Sequence, residues 1–228
     1  MRKAVCGLLL VLQSLAWAQG VHPLSGRKYA GVMGASGADW LVRPERESEE
    51  QPDAALDAIG IAKGSTVADV GAGAGYITWR MAERVGPTGK VYANDIQQKM
   101  LDLLQKNMQD RKIHNVQTVL GGVDDPKLPA GIIDLVILVD VYHEFSEPQQ
   151  MLRRMREALR PDGRLVLLEY RAEDPKVPIR PEHKMTVEQA KSEVEPEGYR
   201  LDKVLETLPR QHILIFKKNL NATTNEHR

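Results

Sequence analysis

The stretch T-V-A-D-V-G-A-G-A-G-Y, residues 66–76, joins a short apolar segment to three glycines that alternate with alanine. Val67, Ala68 and Val70 predict a buried strand, and a helix-forming run, residues 76–85, follows the last glycine at once. Glycine has no Cβ atom to hold a ligand away from the backbone, and a helix N-terminus presents unpaired N–H groups. A strand, a glycine turn and a helix in this order predict a binding site for a nucleotide-containing cofactor.

Beyond residue 64, apolar runs alternate with amphipathic segments, which is the pattern of a parallel sheet covered by helices on both faces. The predicted strands are 66–70, 90–94, 116–120, 133–139, 164–170, 199–207 and 211–217. The predicted helices that follow the glycine turn are 76–85, 97–110, 148–159 and 186–195. Only Leu208-Pro-Arg separates the last two strands, so they must pair in the antiparallel sense.

The first residues differ in kind from the rest of the chain. Arg2 and Lys3 precede an apolar run, residues 4–15, which ends in Ala16-Trp17-Ala18. This order predicts a secretory signal peptide over residues 1–18, and an uncleaved membrane anchor is the alternative. We therefore expect a periplasmic or secreted protein without stable membrane association after cleavage, and a cytoplasmic one if the signal interpretation is wrong. The only cysteine, Cys6, lies in this segment, so the mature chain would contain no disulfide and no cysteine nucleophile.

The predicted mature chain has three parts: an N-terminal arm over residues 19–47, a main domain over 48–218 and a flexible tail over 219–228. The arm ends in a dense charged block, residues 43–52. One interpretation of this block is a solvated linker ahead of a helix from about residue 52 to 59. The other is a lid, in which Trp40, Arg43 and Arg46 close over a substrate, because a planar guanidinium suits a carboxylate.

The charges of the chain balance, with 31 Lys and Arg against 31 Asp and Glu. No net field therefore favours an anionic macromolecule. We expect a small-molecule partner and no nucleic acid.

The type of cofactor depends on the residues that flank the glycines. A dinucleotide fingerprint, G-x-G-x-x-G, requires glycine where this chain has Tyr76, so NAD fits poorly. The motif D-x-G-x-G-x-G, residues 69–75, instead resembles motif I of the class I S-adenosylmethionine-dependent methyltransferases. The resemblance covers roughly residues 40–217, and its order is similar to that of the ubiquinone/menaquinone-biosynthesis-type branch. Its further motifs are Asp95, G-G-V-D-D at 121–125, L-V-I-L-V-D-V-Y-H-E-F at 135–145 and R-P-D-G-R-L-V at 160–166.

This resemblance implies a Rossmann-like α/β fold, with a mostly parallel seven-stranded sheet in the order 3-2-1-4-5-7-6 and an antiparallel last strand. It implies S-adenosylmethionine as the cofactor, held at the ends of the first, second and fourth strands and in the loop after the third. The implied cofactor-binding residues are Asp69, Gly71, Ala72, Gly73, Gly75, Tyr76, Asp95, Ile96, Gly122, Val123, Asp124 and Asp140. Because G-V-D-D replaces the Gly-Asp of many relatives, either Asp124 or Asp125 is the residue implied at the adenine.

The predicted chemistry lies just past the fourth strand, at the edge of the sheet where such folds bind ligands. We predict Asp140, Tyr142 and His143 as catalytic residues. The predicted substrate-binding residues are Trp40, Arg43, Arg46, His143, Glu169, Arg171, His183 and His212. If the C-terminal part curls over the sheet, His143, His183 and His212 can meet around a substrate or a metal ion, although we assign no metal from the sequence.

These features predict an exported methyltransferase that moves a methyl group to a small acceptor by in-line displacement. Quinone-like, phenolic, thiol, amine and metalloid acceptors all remain open, and the absence of cysteine from the mature chain disfavours arsenic methylation by thiolate relay. Two other functions are alternatives. One is an exported binding protein of this fold that does not turn over, and the other is a nicotinamide-dependent oxidoreductase, which Tyr76 disfavours.

Overall fold

The computed structural model describes residues 20–220. The predicted signal peptide with Cys6, and residues 221–228 of the predicted tail, lie outside the described residues. Within residues 20–220, no helix combines the length and the apolar character that a membrane span requires.

The described chain forms one eight-stranded sheet in the order β3-β2-β1-β4-β5-β8-β7, with β6 beside β5. The strands are β1 Thr66–Val70, β2 Lys90–Asp95, β3 Val116–Leu120, β4 Ile133–Val139, β5 Leu159–Arg171, β6 Lys184–Met185, β7 Tyr199–Leu205 and β8 Gln211–Lys218. Strand β8 is antiparallel to both β5 and β7, and the other pairs are parallel. The predicted fold is confirmed, because the seven long strands follow the predicted order and the two-residue β6 only changes the numbering.

Helices cover both faces of this sheet. They are α1 Ala38–Leu41, α2 Arg46–Glu50, α3 Pro52–Ile59, α4 Thr78–Val85, α5 Gln98–Asp110, α6 Pro148–Ala158 and α7 Val187–Val194. Helices α6 and α7 bury Met155 and Ala190 against one face, and α3 and α4 bury Leu56 and Met81 against the other. Helix α7 begins at a capping box, in which Thr186 and Gln189 exchange hydrogen bonds.

Strand β4 lies at the centre of the molecule. Its Val136 and Leu138 belong to one apolar core, and its Leu135 and Ile137 belong to the core on the opposite face. Successive side chains of a strand point to opposite faces, so a strand covered on both sides is apolar along its covered length. Asp134, near the start of β4, is the exception, and it accepts from the backbone N–H of Thr66. The carboxyl end of β4, where the predicted catalytic residues follow, is therefore held by packing on both faces.

Two predicted boundaries were wrong for local reasons. Helix α4 begins at Thr78 rather than at residue 76, because three glycines with positive φ, at 71, 73 and 75, keep the preceding segment in turns. Strand β5 begins at Leu159 rather than at residue 164. Ile133 pairs with Leu159 and Leu135 pairs with Arg164, so the R-P-D-G segment forms a bulge within the strand and not a turn before it.

The charged block is partly solvated, because residues 44, 45, 47, 48 and 51 are exposed while others are buried. Arg46 and Glu50 of α2 are both buried, and the guanidinium of Arg46 donates to both carboxylate oxygens of Glu50. The third guanidinium nitrogen of Arg46, Nη1, donates to the carbonyl oxygen of Leu41 over 2.6 Å. The block therefore packs onto the domain as a short helix.

Candidate active site

The carboxyl ends of β1, β2 and β4 and the loop after β3 surround a cavity of about 450 Å³. Cavities of this size hold small ligands. The predicted site residues that line it are Trp40, Arg46, Asp69, Gly71, Ala72, Gly73, Tyr76, Asp95, Ile96, Gly122, Val123, Asp140, His143 and His183. One cavity thus contains residues that were predicted for the cofactor and residues that were predicted for the substrate.

The glycine turn forms the floor at the end of β1. Gly71 has a φ of +76°, and a Cβ atom there would lie 2.4 Å from Cγ1 of Val141. The backbone N–H of Gly73 points across the turn and donates to Oδ2 of Asp95 over 2.9 Å. Gly75 does not line the cavity, because a Cβ atom at this position would lie 2.9 Å from Cγ of Leu104 on α5. The third glycine therefore allows α5 to pack closely against the turn. It does not serve the approach of a ligand.

Two buried carboxyl groups end β1 and β2. Oδ2 of Asp69 accepts a hydrogen bond from the Thr78 hydroxyl over 2.6 Å, and burial raises the pKa of Asp69 to about 6 despite that bond. Asp95 accepts from the backbone N–H groups of Gly73 and Gln97, and burial still raises its pKa above the ordinary value. A cationic or hydroxyl-bearing ligand would therefore stabilise the ionised form of both carboxyl groups.

The loop after β3 presents Gly122 and Val123 to the cavity. The amide of Asn94 holds this loop by donating to the carbonyl oxygens of Val119 and Pro126. Asp124, which was predicted at the adenine, is exposed and does not line the cavity, and Asp125 does not line it either. The loop thus offers backbone and apolar surface to the cavity rather than a carboxylate.

The acceptor end of the cavity, as we name the part around His143, Glu144 and His183, follows β4. Nδ1 of His143 lies 2.5 Å from Oε2 of Glu169, and Nε2 lies 3.0 Å from Nδ1 of His183. Burial alone would lower the pKa of His143, but attraction and hydrogen bonding to Glu169 raise it above the ordinary value. Burial and the neighbouring His143 lower the pKa of His183. The two imidazoles therefore share a hydrogen bond. Because the pKa of His143 is raised and that of His183 is lowered, the positive charge is favoured on His143.

Glu144, which was not predicted as a site residue, completes this cluster. Its carboxylate, an imidazole nitrogen of His143 and one of His183 all lie within 4.8 Å of one another. Burial raises the pKa of Glu144 to about 7, with the charges of Glu169 and Asp95 also raising it and that of His143 opposing them. The predicted third histidine, His212, is not part of the cluster.

Asp140 ends β4 in a left-handed conformation with a φ of +53°, which is strained for a residue other than glycine. Both of its carboxylate oxygens accept from the Gln211 amide, at 2.9 and 2.8 Å, and Arg46 lies 3.8 Å away. Burial and the nearby charges of Glu50 and Glu169 raise its pKa. Asp140 lines the cavity, but its carboxylate is engaged by the protein.

Besides Gly75 and Asp124, five predicted site residues do not line the cavity. Tyr142 is packed in the core, with its ring edge-on to Phe145, so it is not placed as a catalytic residue. Glu169 is fully buried behind His143 and acts through that ring. The other three are Arg171, His212 and Arg43.

Each of these three has another place in the fold. Arg171 donates to the carbonyl oxygens of Leu208, Pro209 and Gln211 and so clamps the turn before β8. His212 is fully buried on β8 with its Nδ1 3.7 Å from Glu206, and burial lowers its pKa. Arg43 stacks on the Trp40 ring, 3.8 Å from its centroid, and pairs with Glu49.

The N-terminal arm forms one wall of the cavity. The side chain of Arg27 is buried, donates to both carboxylate oxygens of Glu193 on α7 and also donates to the carbonyl oxygen of His143. The backbone N–H of Ala30 donates to the same carbonyl. Trp40 and Arg46 line the cavity further along the arm. The arm is therefore attached to the acceptor end through the backbone of His143.

Several lining residues were missed by reasoning from the sequence. Among them, five apolar residues and one arginine belong to the arm and to the segment before β6: Val32, Met33, Leu41, Pro178, Ile179 and Arg180. These stretches have no periodic pattern, so nothing in them marks the side that faces the cavity. Glu144 did carry a signal, because it adjoins His143 at the end of the central strand.

A family model described as a methyltransferase domain matches residues 61–214, well over half of the chain. The chain belongs to this methyltransferase family. Among curated proteins, the chain is 31% identical over 116 residues to the ubiquinone/menaquinone biosynthesis C-methyltransferase UbiE of Hahella chejuensis, covering 50% of the chain and 47% of that protein. The UbiE of Escherichia fergusonii is also 31% identical, with 46% of its length covered. The chain thus spans about half the length of the curated relatives it matches.

Solved structures agree with the family. A SAM dependent methyltransferase from Aquifex aeolicus has a TM-score of 0.77 at 25% identity, with 81% of this chain and 98% of that chain covered. A putative type 11 methyltransferase from Sulfolobus solfataricus, at 19% identity and a TM-score of 0.63, shares the fold over 79% of this chain and 99% of its own. The family match and the fold together support a class I S-adenosylmethionine-dependent methyltransferase.

Proposed function

We propose that this protein uses S-adenosylmethionine to methylate a small molecule, which binds at the acceptor end of the cavity. The observation that carries the proposal is the continuity of one cavity from the glycine turn and Asp95 to His143 and His183. A cofactor and a second small molecule can meet inside it.

The residues at the strand ends fit this cofactor in shape and in charge. The close approach of the turn depends on Gly71, where a Cβ atom would clash with Val141. Asp69 and Asp95 offer carboxyl groups at adjacent strand ends, suited to an ammonium group and to ribose hydroxyls respectively. Ile96 and Val123, both apolar and partly exposed, offer surfaces for an adenine ring. When bound, S-adenosylmethionine supplies a methyl group activated by a sulfonium.

The acceptor end combines apolar walls with few polar groups. Met33, Phe145 and Ile179 line it beside His143 and His183. Such a lining favours a small, largely apolar acceptor with one polar reacting group. The balance of 31 basic and 31 acidic residues supports a small molecule over a nucleic acid.

The protein contributes alignment and the exclusion of water, which are the main requirements of methyl transfer. Glu169 fixes the ring of His143, so that Nε2 faces His183 at the cavity. Residues of the arm, with Trp40 and Leu41 among them, cover the cavity on one side. This placement of Trp40 and Arg46 supports the second interpretation, in which the arm serves as a lid, although Arg43 does not line the cavity.

Calorimetry of the mature chain with S-adenosylhomocysteine, S-adenosylmethionine and NAD tests the cofactor. We expect both sulfur compounds to bind and NAD not to bind; the reverse result would rule out the proposal. Incubation with methyl-labelled S-adenosylmethionine and a panel of phenolic, quinol, thiol and amine compounds, followed by mass spectrometry, then tests the acceptor. We expect label on one class of small molecule. Binding of the cofactor without transfer to any of them would favour the non-catalytic binding protein.

A further inference from the structure

We propose that His143, Glu144 and His183 bind a divalent transition-metal ion at the acceptor end of the cavity. The ligand set is two imidazole nitrogens and one carboxylate oxygen. The binding site follows from the arrangement of these side chains, and only the role of the ion rests on the proposed function.

The ligand atoms are already close enough to share one ion. One atom from each of the three side chains lies within 4.8 Å of the others. Nε2 of His143 and Nδ1 of His183 are 3.0 Å apart. Zinc–nitrogen bonds of about 2.0–2.1 Å in a tetrahedral site place two such nitrogens about 3.3 Å apart. The pair therefore has to open by only a few tenths of an ångström, and coordination replaces the hydrogen bond between the rings.

A buried carboxylate behind His143 orients the ring for coordination. Oε2 of Glu169 lies 2.5 Å from Nδ1 of His143, and Oε1 accepts from the backbone N–H of Tyr142 over 3.0 Å. Glu169 is fully buried, and each of its carboxylate oxygens has a partner, so the carboxylate is held in one orientation. A ligand histidine in metalloproteins commonly donates its second ring N–H to such a carboxylate, which leaves the other nitrogen free to coordinate.

The backbone brings the ligands together from two separate segments. His143 and Glu144 lie in the 3-10 helix Tyr142–Glu144 after β4, and His183 ends the 3-10 helix Pro181–His183 before β6. The first segment is held by Arg27 and Ala30 of the arm, which both donate to the carbonyl oxygen of His143. The second is held by the pairing of β6 with β5. The site is therefore built on anchored segments.

Three protein ligands leave a coordination position open, as in catalytic zinc sites. His143, Glu144 and His183 all line the cavity, so that position is accessible to the acceptor. A metal ion lowers the pKa of a hydroxyl bound to it. The O–H bond of the acceptor would break, the proton would leave to bulk water and the oxygen would keep its electron pair on the ion. This role narrows the acceptors to molecules with a coordinating hydroxyl, such as phenols or hydroquinones.

Titration of the metal-stripped mature chain with Co²⁺, followed by visible ligand-field absorption, and with Zn²⁺ by calorimetry, tests the site. We expect one ion per chain. His183→Ala and His143→Gln should each weaken binding at least roughly tenfold, and Glu169→Gln by about 10- to 100-fold, because a neutral amide replaces the carboxylate that orients the ring of His143. His114→Ala, which removes an exposed histidine remote from the cavity, should leave the affinity unchanged.

Absence of saturable binding, or binding of equal strength in His183→Ala, His143→Gln and the unaltered chain, would overturn the proposal. Calorimetry with S-adenosylhomocysteine on the same variants separates the two proposals. A His183→Ala chain that keeps its affinity for S-adenosylhomocysteine but loses Co²⁺ is folded and lacks only the metal site. A chain that binds Co²⁺ but not S-adenosylhomocysteine would contradict the proposed function and leave the metal site standing.

Discussion

The backbone N–H of Gly73 donates to Oδ2 of Asp95 over 2.9 Å, across 22 residues of sequence. The bond joins the glycine turn after β1 to the end of β2. The other oxygen, Oδ1, accepts from the backbone N–H of Gln97 over 2.8 Å. The carboxylate is thus oriented before any ligand arrives, which reduces the ordering cost of binding.

Replacement of Asp95 tests whether this carboxylate holds the cofactor. We expect Asp95→Ala to weaken binding of S-adenosylhomocysteine about 10- to 150-fold, because hydrogen bonds to a charged group contribute about 1.5–3 kcal/mol. Calorimetry gives the affinity directly. Asp110→Ala, at an exposed aspartate paired with Lys106, is the matched control and should leave the affinity for S-adenosylhomocysteine unchanged. An unaltered affinity in Asp95→Ala would show that the ribose hydroxyls bind elsewhere.

The affinity for S-adenosylhomocysteine should depend on pH through Asp69. Burial raises the pKa of this group to about 6, so it is ionised above that pH and neutral below it. Only the ionised form attracts an ammonium group, and we expect affinity to fall as pH decreases through about 6, by up to tenfold per pH unit. Calorimetry between about pH 5 and pH 8 measures the dependence. Asp69→Asn should bind weakly at every pH, and a similar slope in that variant would assign the titration to another group.

The raised pKa of Asp69 should also make the stability of the ligand-free protein depend on pH. Stability should increase as pH falls, whereas ligand affinity should decrease. The folded pKa of Asp69, about 6, lies above the ordinary value of 3.8. Without ligand, the ionised group therefore costs stability above pH 6, and the cost disappears as pH falls from about 6 towards about 4. Asp69→Asn keeps an acceptor for Thr78, so it should raise the melting temperature at pH 8 by more than at pH 5.

The sequence was sufficient where a local pattern determines the structure. The apolar run of β4 predicted a central strand, and the resemblance carried by Asp69, the glycines and Asp95 implied which strand ends meet. Side-chain partners between distant segments could not be predicted in this way. Glu169 and His212 are paired residues of β5 and β8, yet Glu169 supports His143 while His212 is buried beside Glu206. The two side chains share a face of the sheet, so their different roles depend on which side chains pack beside each of them, and no sequence period encodes that.

The arm should depend for its attachment on the buried pair between Arg27 and Glu193. Removal of one partner from such a pair leaves an uncompensated charge and costs about 3–5 kcal/mol. We expect Arg27→Met to lower the free energy of unfolding by about that amount, measured by urea denaturation. Arg154→Met removes one partner of an exposed pair with Glu157 and should cost less than about 1 kcal/mol. Equal effects of the two changes would mean that the arm does not contribute to the stability of the domain.

The prediction of export is independent of the fold. Small residues at 16 and 18 after an apolar run predict cleavage after Ala18. Expression of the full chain in a Gram-negative host, with fractionation and N-terminal sequencing, should give an extracytoplasmic product that begins at Gln19. Ala18→Arg should block the cleavage without changing the mature sequence. An uncleaved cytosolic product from the unaltered chain would contradict export.

The tight turn at Gly71 gives the sharpest test of the cofactor floor. Gly71 and Gly86 both have positive φ, at +76° and +69°, but a Cβ atom at Gly71 would lie 2.4 Å from Val141, whereas nothing lies within 4 Å at Gly86. Gly86, with a ψ of −173°, lies in a region that only glycine adopts readily, so Gly86→Ala should lower the free energy of unfolding by the backbone strain alone, about 1–3 kcal/mol. Gly71→Ala should lower the free energy of unfolding, measured by urea denaturation, by more than Gly86→Ala does. It should also abolish binding of S-adenosylhomocysteine. Val141→Ala removes the clashing methyl groups, so the double variant should recover part of the stability. If Gly71→Ala costs no more than Gly86→Ala, the packing of Val141 against the turn does not hold in solution.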